Sequence, residues 1–211
     1  MKEEQYRSWV EVDLDRFTQN WQELRRLVGS SVQIMQVVKA DAYGHGAIEI
    51  SNMALKNGAD WLGVANADEG VQLRVSGIHA PILILSPSME SEIPDIIKYR
   101  LIPSVSDAHF AKILQKHYAD RGISGPIHIE IDTGMGRGGT MHKEAMRVIR
   151  EIAQCPNLVR EGIFTHLSTA EQVNDYSREQ GRLFLDLLKK LRREGLTFPI
   201  RHMANSGGIL N

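Results

Sequence analysis

The chain has 211 residues, is 42% hydrophobic and 24% charged, and carries a net charge of −1. A chain of this length buries roughly 70% of its unfolded surface, enough for a full core, and its near-neutral balance argues against a dedicated nucleic-acid or anionic-membrane surface. The one cysteine, Cys155, excludes an intrachain disulfide and a multi-thiolate zinc site within the chain, and fits a reducing cytoplasm.

The opening MKEEQYRSW has no apolar core of the kind a secretory signal needs. Ser8–Leu14 alternates Val10, Val12 and Leu14 with Glu11 and Asp13, the pattern of a half-buried strand. A helix over Asp15–Val28 follows, with Phe17, Trp21, Leu24 and Val28 on one face. Runs rich in Val and Ile then read as buried strands at Ile34–Val38, Trp61–Ala65, Ile82–Leu85, Leu101–Val105, Ile127–Asp132, Glu161–His166 and Ile200–Asn205. None approaches the length needed to span a bilayer. Helical periodicity fills the gaps: two helices end at Gly58 and Gly77, one covers Asp107–Tyr118 with Ser106 as N-cap, one covers Lys143–Cys155, and one covers Ser177–Glu194 with Gly195 as its stop.

Continuously apolar strands alternating with helices imply a parallel sheet covered by helices. Seven regular units without a linker suit a TIM-type (β/α)8 barrel better than an open doubly wound sheet. Such a barrel takes about 250 residues, so the expectation is a barrel that stops before strand eight. Residues 15–211 are assigned to that barrel domain. Residues 1–14 fall outside the count and are expected to pair with β structure beyond this chain. Edge strands one and seven are expected to promote self-association.

Chemistry in a barrel sits at the C-terminal strand ends. Strand one runs into Lys39, with Tyr43 beyond; strand five ends at Asp132 before TGMGRGG, which contains Arg137; strand six ends at His166; strand seven runs into Asn205, Ser206, Gly207 and Gly208. A desolvated lysine is a Schiff-base nucleophile, an arginine offers a planar fork to an oxygen anion, and a serine with nearby N–H groups can hold a phosphate. Each has an ordinary alternative: a lysine stem packed at a strand end, a glycine turn, a core histidine, a capping serine. Their convergence on one rim favours the functional reading. The GxGxxG match at Gly134, Gly136 and Gly139 follows strand five rather than the first strand of a βαβ unit, and no acid sits near the end of the next strand, so a nicotinamide site is disfavoured. The 8 histidines show no metal-binding spacing.

VVKADAYGHGA, at 37–47, resembles the cofactor-lysine motif of the alanine racemases that depend on pyridoxal phosphate. EVDLDRFTQN, GADWLGVANADEGVQLR, IDTGMGRGG, GIFTHLSTAE and HMANSGG follow in that family's order over essentially the whole chain. The resemblance implies a homodimeric cytoplasmic isomerase that interconverts L- and D-alanine and supplies D-alanine for peptidoglycan. It implies that Lys39 forms the aldimine with pyridoxal 5′-phosphate and serves as base on the D-alanine face. Tyr43 and Ser206 would hold the phosphate, and Arg137 would reach the phenolic oxygen and the substrate carboxylate. His166 and Asn205 would line the ring, with Leu85 as an apolar contact. The resemblance further implies that the base for the L-alanine face would be a tyrosine of the partner subunit's C-terminal domain.

Two departures follow from the same resemblance. Glu130 stands where the family commonly has a lysine, often carbamylated, and is expected to supply the negative charge toward Arg137 directly. The chain also ends before the family's eighth strand and C-terminal domain, so little racemase activity is expected of it alone. A serine/alanine racemase, a non-racemising single-barrel pyridoxal-phosphate protein and a cofactor-free scaffold are the alternatives.

Overall fold

The computed structural model describes residues 8–172 and 175–211. Residues 8–13 form no strand and have no strand partner among the described residues; Trp9 and Val10 are exposed. The remainder of the 1–14 segment, residues 1–7, lies outside the described residues. Helix α1 begins at Leu14 and runs to Val28. Asp13 caps it, its carboxylate accepting from the N–H groups of Asp15 and Arg16, each at 3.0 Å, which stabilises a helix by about 1 kcal/mol. Trp21 seats the apolar face of α1 against Ile34 and Ala54.

Seven parallel strands follow in the sheet order β1-β2-β3-β4-β5-β7-β8. They are β1 (Met35–Val37), β2 (Trp61–Val64), β3 (Ile82–Pro87), β4 (Ile102–Val105), β5 (Gly125–Asp132), β7 (Leu158–Phe164) and β8 (Ile200–His202). A two-residue strand, β6 (Thr140–Met141), pairs with the end of β5 off this path. The sheet curls as an incomplete (β/α)8 barrel, with β1 and β8 as its edges. The connecting helices are α2 (Lys39–Gly44), α3 (Ala47–Lys56), α4 (Ala67–Val75), α5 (Ile93–Lys98), α6 (Ala108–Ala119), α7 (Ala145–Ile152) and α8 (Asp175–Arg193), and α9 (Ser206–Leu210) follows β8.

Period-two alternation divides each strand between two cores. Leu62, Val64, Ile82 and Ile84 face one group of helices, and Ile127, Ile129, Ile131 and Ile163 face another. Burial of each such side chain is worth roughly 1.5–3 kcal/mol. The opposite faces turn inward, where Trp61, Leu83 and Ile102 pack with Met35, Leu85 and Ile200.

Several boundaries differ from the sequence reading. Strand one stops at Val37, and Lys39 opens α2 rather than ending the strand. The sixth barrel strand begins three residues earlier than expected and stops at Phe164, and the seventh stops at His202. Ser106 does not cap α6; that helix starts one residue later, and Asp107 accepts from the Phe110 N–H at 2.8 Å.

Candidate active site

The segment after β1 takes an unusual path. Ala40, Asp41, Ala42 and Tyr43 all have φ between 50° and 56°, so α2 is a turn of left-handed helix built from L-residues. Such a turn costs about 1–2 kcal/mol per residue, so surrounding contacts must hold it. The Asp41 carboxylate accepts from the Ala47 N–H at 2.7 Å, and the Gly46 N–H donates to the Asp41 carbonyl at 3.0 Å. His45 Nδ1 lies 2.9 Å from the Ala42 carbonyl, which makes that nitrogen the donor and gives this histidine a local structural task. Glu69, on α4, accepts from the Ala40 N–H at 2.8 Å and from the Ala65 N–H at 2.7 Å, tying the lysine turn to the end of β2.

This turn places Lys39 half-buried at the barrel mouth, its Nζ 5.9 Å from the centre of the Tyr43 ring. Tyr43 is itself largely exposed. Leu85 sits inside the barrel, partly buried and close to Gly63.

Across the mouth, Asp132 organises the glycine loop: its carboxylate accepts from the Gly134 N–H at 2.8 Å and from the Gly136 N–H at 3.0 Å. Gly139, at φ 94°, leaves no room for a Cβ, which would stand 2.8 Å from the Asp132 backbone nitrogen. The loop presents Arg137 to solvent. Beneath it Glu130 is buried, with the Ser106 hydroxyl 3.5 Å from Oε2. Burial raises the Glu130 carboxyl above its ordinary range, while the Arg137 charge and the Ser106 hydroxyl oppose that rise. Arg137 thus acts on Glu130 through space, with no direct ion pair between them.

His166, just past β7, is pushed below its ordinary value by burial and then by the nearby Arg137 and Lys39 charges. Lys39, Arg137 and His166 therefore share one electrostatic environment. Gln180, fully buried on α8, donates to the His166 carbonyl at 3.2 Å and accepts from the Ser168 N–H at 3.0 Å, fixing the strand end from behind. Asn205 and Ser206 stand at the start of α9, where the Asn205 side chain accepts from the Gly208 N–H at 3.0 Å. That carbonyl oxygen is engaged as a helix cap; the side-chain amide group has no such bond among the described residues. Lys39, Tyr43, Arg137 and Ser206 form no side-chain hydrogen bond to another group among the described residues. Glu69 and Gln180 escape a reading of the sequence because their partners lie 29 and 14 residues away in the chain.

The family model for the alanine racemase N-terminal domain matches residues 12–211. The chain belongs to this family. It is 40% identical over 204 residues to alanine racemase 1 of Caldanaerobacter subterraneus subsp. tengcongensis, covering 96% of this chain and 53% of that protein. Alanine racemase 1 of Clostridium acetobutylicum gives the same identity and coverage. The crystal structure of the Bacillus anthracis alanine racemase with bound L-Ala-P superposes with a TM-score of 0.89 at 36% identity, over 96% of this chain and 53% of that one. The chain spans about half the length of these curated alanine racemases.

Proposed function

We propose that this chain acts in the interconversion of L- and D-alanine, with pyridoxal 5′-phosphate held at the mouth through Lys39. The observation that carries this reading is Lys39 itself: an amine on a left-handed turn just past β1, sharing the mouth with Arg137 and His166 in a chain of the alanine racemase family. The donors fit the cofactor. An amine is present to condense with an aldehyde, and the Tyr43 and Ser206 hydroxyls, without hydrogen-bond partners among the described residues, suit phosphate oxygens.

When bound, the cofactor makes the substrate α-proton labile by drawing electron density from that carbon. The side chains do the rest. Lys39 Nζ would hold the cofactor and would take or return the α-proton on the D-alanine face. The Arg137 fork orients the substrate carboxylate. Glu130 offsets the arginine charge from below without a carbamylated lysine. Burial lowers His166 and so favours its neutral form, which presents a polar group without adding to the charges of Lys39 and Arg137. Asn205 and Leu85 complete the polar and apolar walls. The opposite face of the α-carbon needs its own base, which this reading assigns to a partner subunit of a homodimer. A cytoplasmic setting belongs to the same proposal; among the described residues, no helix is long and apolar enough to cross a membrane.

Mixing the chain with pyridoxal 5′-phosphate, reducing with borohydride and mapping the labelled peptide tests the reading. Label on Lys39, absent from Lys39→Ala, is the expected result. A folded chain that takes no label, or takes it elsewhere, removes the proposal. Parallel assays on alanine and serine separate the two substrates.

A further inference from the structure

The barrel interior holds a second group of ionisable residues, below the mouth and outside the site above. His128 is fully buried on the inner face of β5. Its Nδ1 lies 3.0 Å from His202 Nε2, and its Nε2 lies 3.6 Å from Glu161 Oε2. Those last two atoms are buried and have no hydrogen-bond partner among the described residues.

The surrounding backbone is built around this contact. Opposite Gly162, the β5–β7 register shifts between Ile127 and His128, so that Glu161 is an extra residue on β7. A bulge of this kind re-aims a side chain, and here the Glu161 carboxyl reaches the His128 ring. Gly162 is required for the same reason: a Cβ there would stand 2.4 Å from the His128 ring. His202 is fixed from its other side by stacking on Phe164, with ring centres 4.6 Å apart and planes 11° from parallel. The Glu161 side chain is 32% exposed although Oε2 is buried, so one end of the series meets solvent.

We propose that Glu161, His128 and His202 form a single-proton relay through the barrel interior, in which the protonation of Glu161 and the tautomer of His202 are locked together. Two proton arrangements suit all the facing atoms, with the 3.6 Å contact between Glu161 and His128 closing to hydrogen-bond distance in each. In the first, the Glu161 carboxylate accepts from His128 Nε2–H, His128 Nδ1 accepts from His202 Nε2–H, and His202 Nδ1 is bare. In the second, Glu161 Oε2–H donates to His128 Nε2, His128 Nδ1–H donates to His202 Nε2, and His202 Nδ1 carries a proton. They differ by one proton. A proton taken up at His202 Nδ1 releases the Nε2 proton to His128 Nδ1, whose own Nε2 proton passes to Glu161 Oε2. The charge on Glu161 goes from −1 to zero, and neither ring holds two protons at the end. His202 closes β8, three residues before Asn205, so the relay links the solvent-touched carboxyl to the layer beneath the mouth.

Burial favours this neutral exchange over forming an imidazolium. It holds His128 down to about 3, helped by His202, and His202 down to about 4, while raising the Glu161 carboxyl. No further charged side chain shifts any of the three, including neighbouring Arg160 on β7 and Arg201 on β8. The inner faces of β1 to β3 and the Ile102 end of β4 contribute the apolar Met35, Trp61, Leu83, Leu85 and Ile102. Among the described residues no cluster of three or more His, Cys, Asp or Glu has metal-holding geometry.

Long-range ¹H–¹⁵N spectra of the labelled full chain report which nitrogen of each imidazole carries the proton. Signals of His202 are assigned by their loss in His202→Gln. As pH falls, His202 is expected to exchange its Nε2–H form for its Nδ1–H form, at the pH where the Glu161 carboxyl ¹³C signal titrates. In Glu161→Gln the tautomers are expected to stay constant across the same range. The wild-type comparison of the two signals stands on its own if that variant fails to fold. A His202 tautomer that never changes, a Glu161 titration that leaves it untouched, an exchange that persists in Glu161→Gln, or an imidazolium at either ring in this range overturns the relay.

Discussion

Ile127, Ile129 and Ile131 face the helices from β5 and are fully buried among aliphatic side chains, while His128, Glu130 and Asp132 alternate with them on the same strand and line the barrel. Both faces are largely withdrawn from water, yet one is saturated with apolar contact and the other is ionisable. The contrast locates each kind of free energy. The outer face supplies stability through packing. The inner face withholds stability, because buried polar and titratable groups cost free energy unless fully paired, and retains chemistry in exchange.

Acid separates the two faces most sharply. His128 and His202 are neutral in the folded chain down to about 3 and about 4, whereas unfolded histidines gain protons near 6.5. The unfolded state therefore binds more protons as pH falls below 6.5, and these residues' share of stability is lost from there down to about 3. Each pH unit separating a folded from an unfolded histidine is worth about 1.4 kcal/mol, so the wild type loses stability steadily across this range. Denaturant titrations of wild type and His128→Gln between pH 7 and 4 should show a steeper acid loss in the wild type; parallel slopes would contradict neutral burial of the pair.

Ile129→Ala probes the packed face. Removing a fully buried aliphatic side chain there should lower unfolding free energy by about 2–5 kcal/mol, with little dependence on pH. If calorimetry finds less than about 1 kcal/mol, the outer core is looser than its burial indicates.

Glu130→Gln should have the smallest effect and the opposite sign. Because the folded chain raises this carboxyl, the folded state holds its proton to higher pH than the unfolded state does. Stability contributed by this group is present below the unfolded carboxyl range and is lost as pH rises through the folded value. The variant should thus be slightly more stable at neutral pH, by about 1 kcal/mol, and, under the proposed function, should weaken carboxylate capture at Arg137. A large destabilisation instead would show that the charge on Glu130 is needed to hold the glycine loop.

The outer face is legible in the sequence, since runs such as Ile127–Asp132 and Ile82–Leu85 declare buried strands through β-branched content. Part of the rim's layout is legible as well: the strand pattern sets Lys39, Arg137 and His166 at or just beyond strand ends, and His166 feels the charges of the other two. What stays hidden depends on tertiary contact. Helix α5 has only six residues and carries Pro94, so periodicity has too little chain to act on. Strand β6 is a two-residue pairing with no pattern of its own. The Ala40 partner of Glu69 and the facing groups of Gln180 and Glu161 lie far away in sequence, and nothing local marks them. Nor do the glycines of the lysine turn announce that four non-glycine residues turn left-handed, because intrinsic preference opposes it.

That turn has a consequence for synthesis. For a D-residue the handedness preference is reversed, so the backbone of α2 is the comfortable conformation for the mirror-image building block. Chemical ligation of a segment carrying D-alanine at positions 40 and 42 would relieve strain where the natural L-alanines bear it.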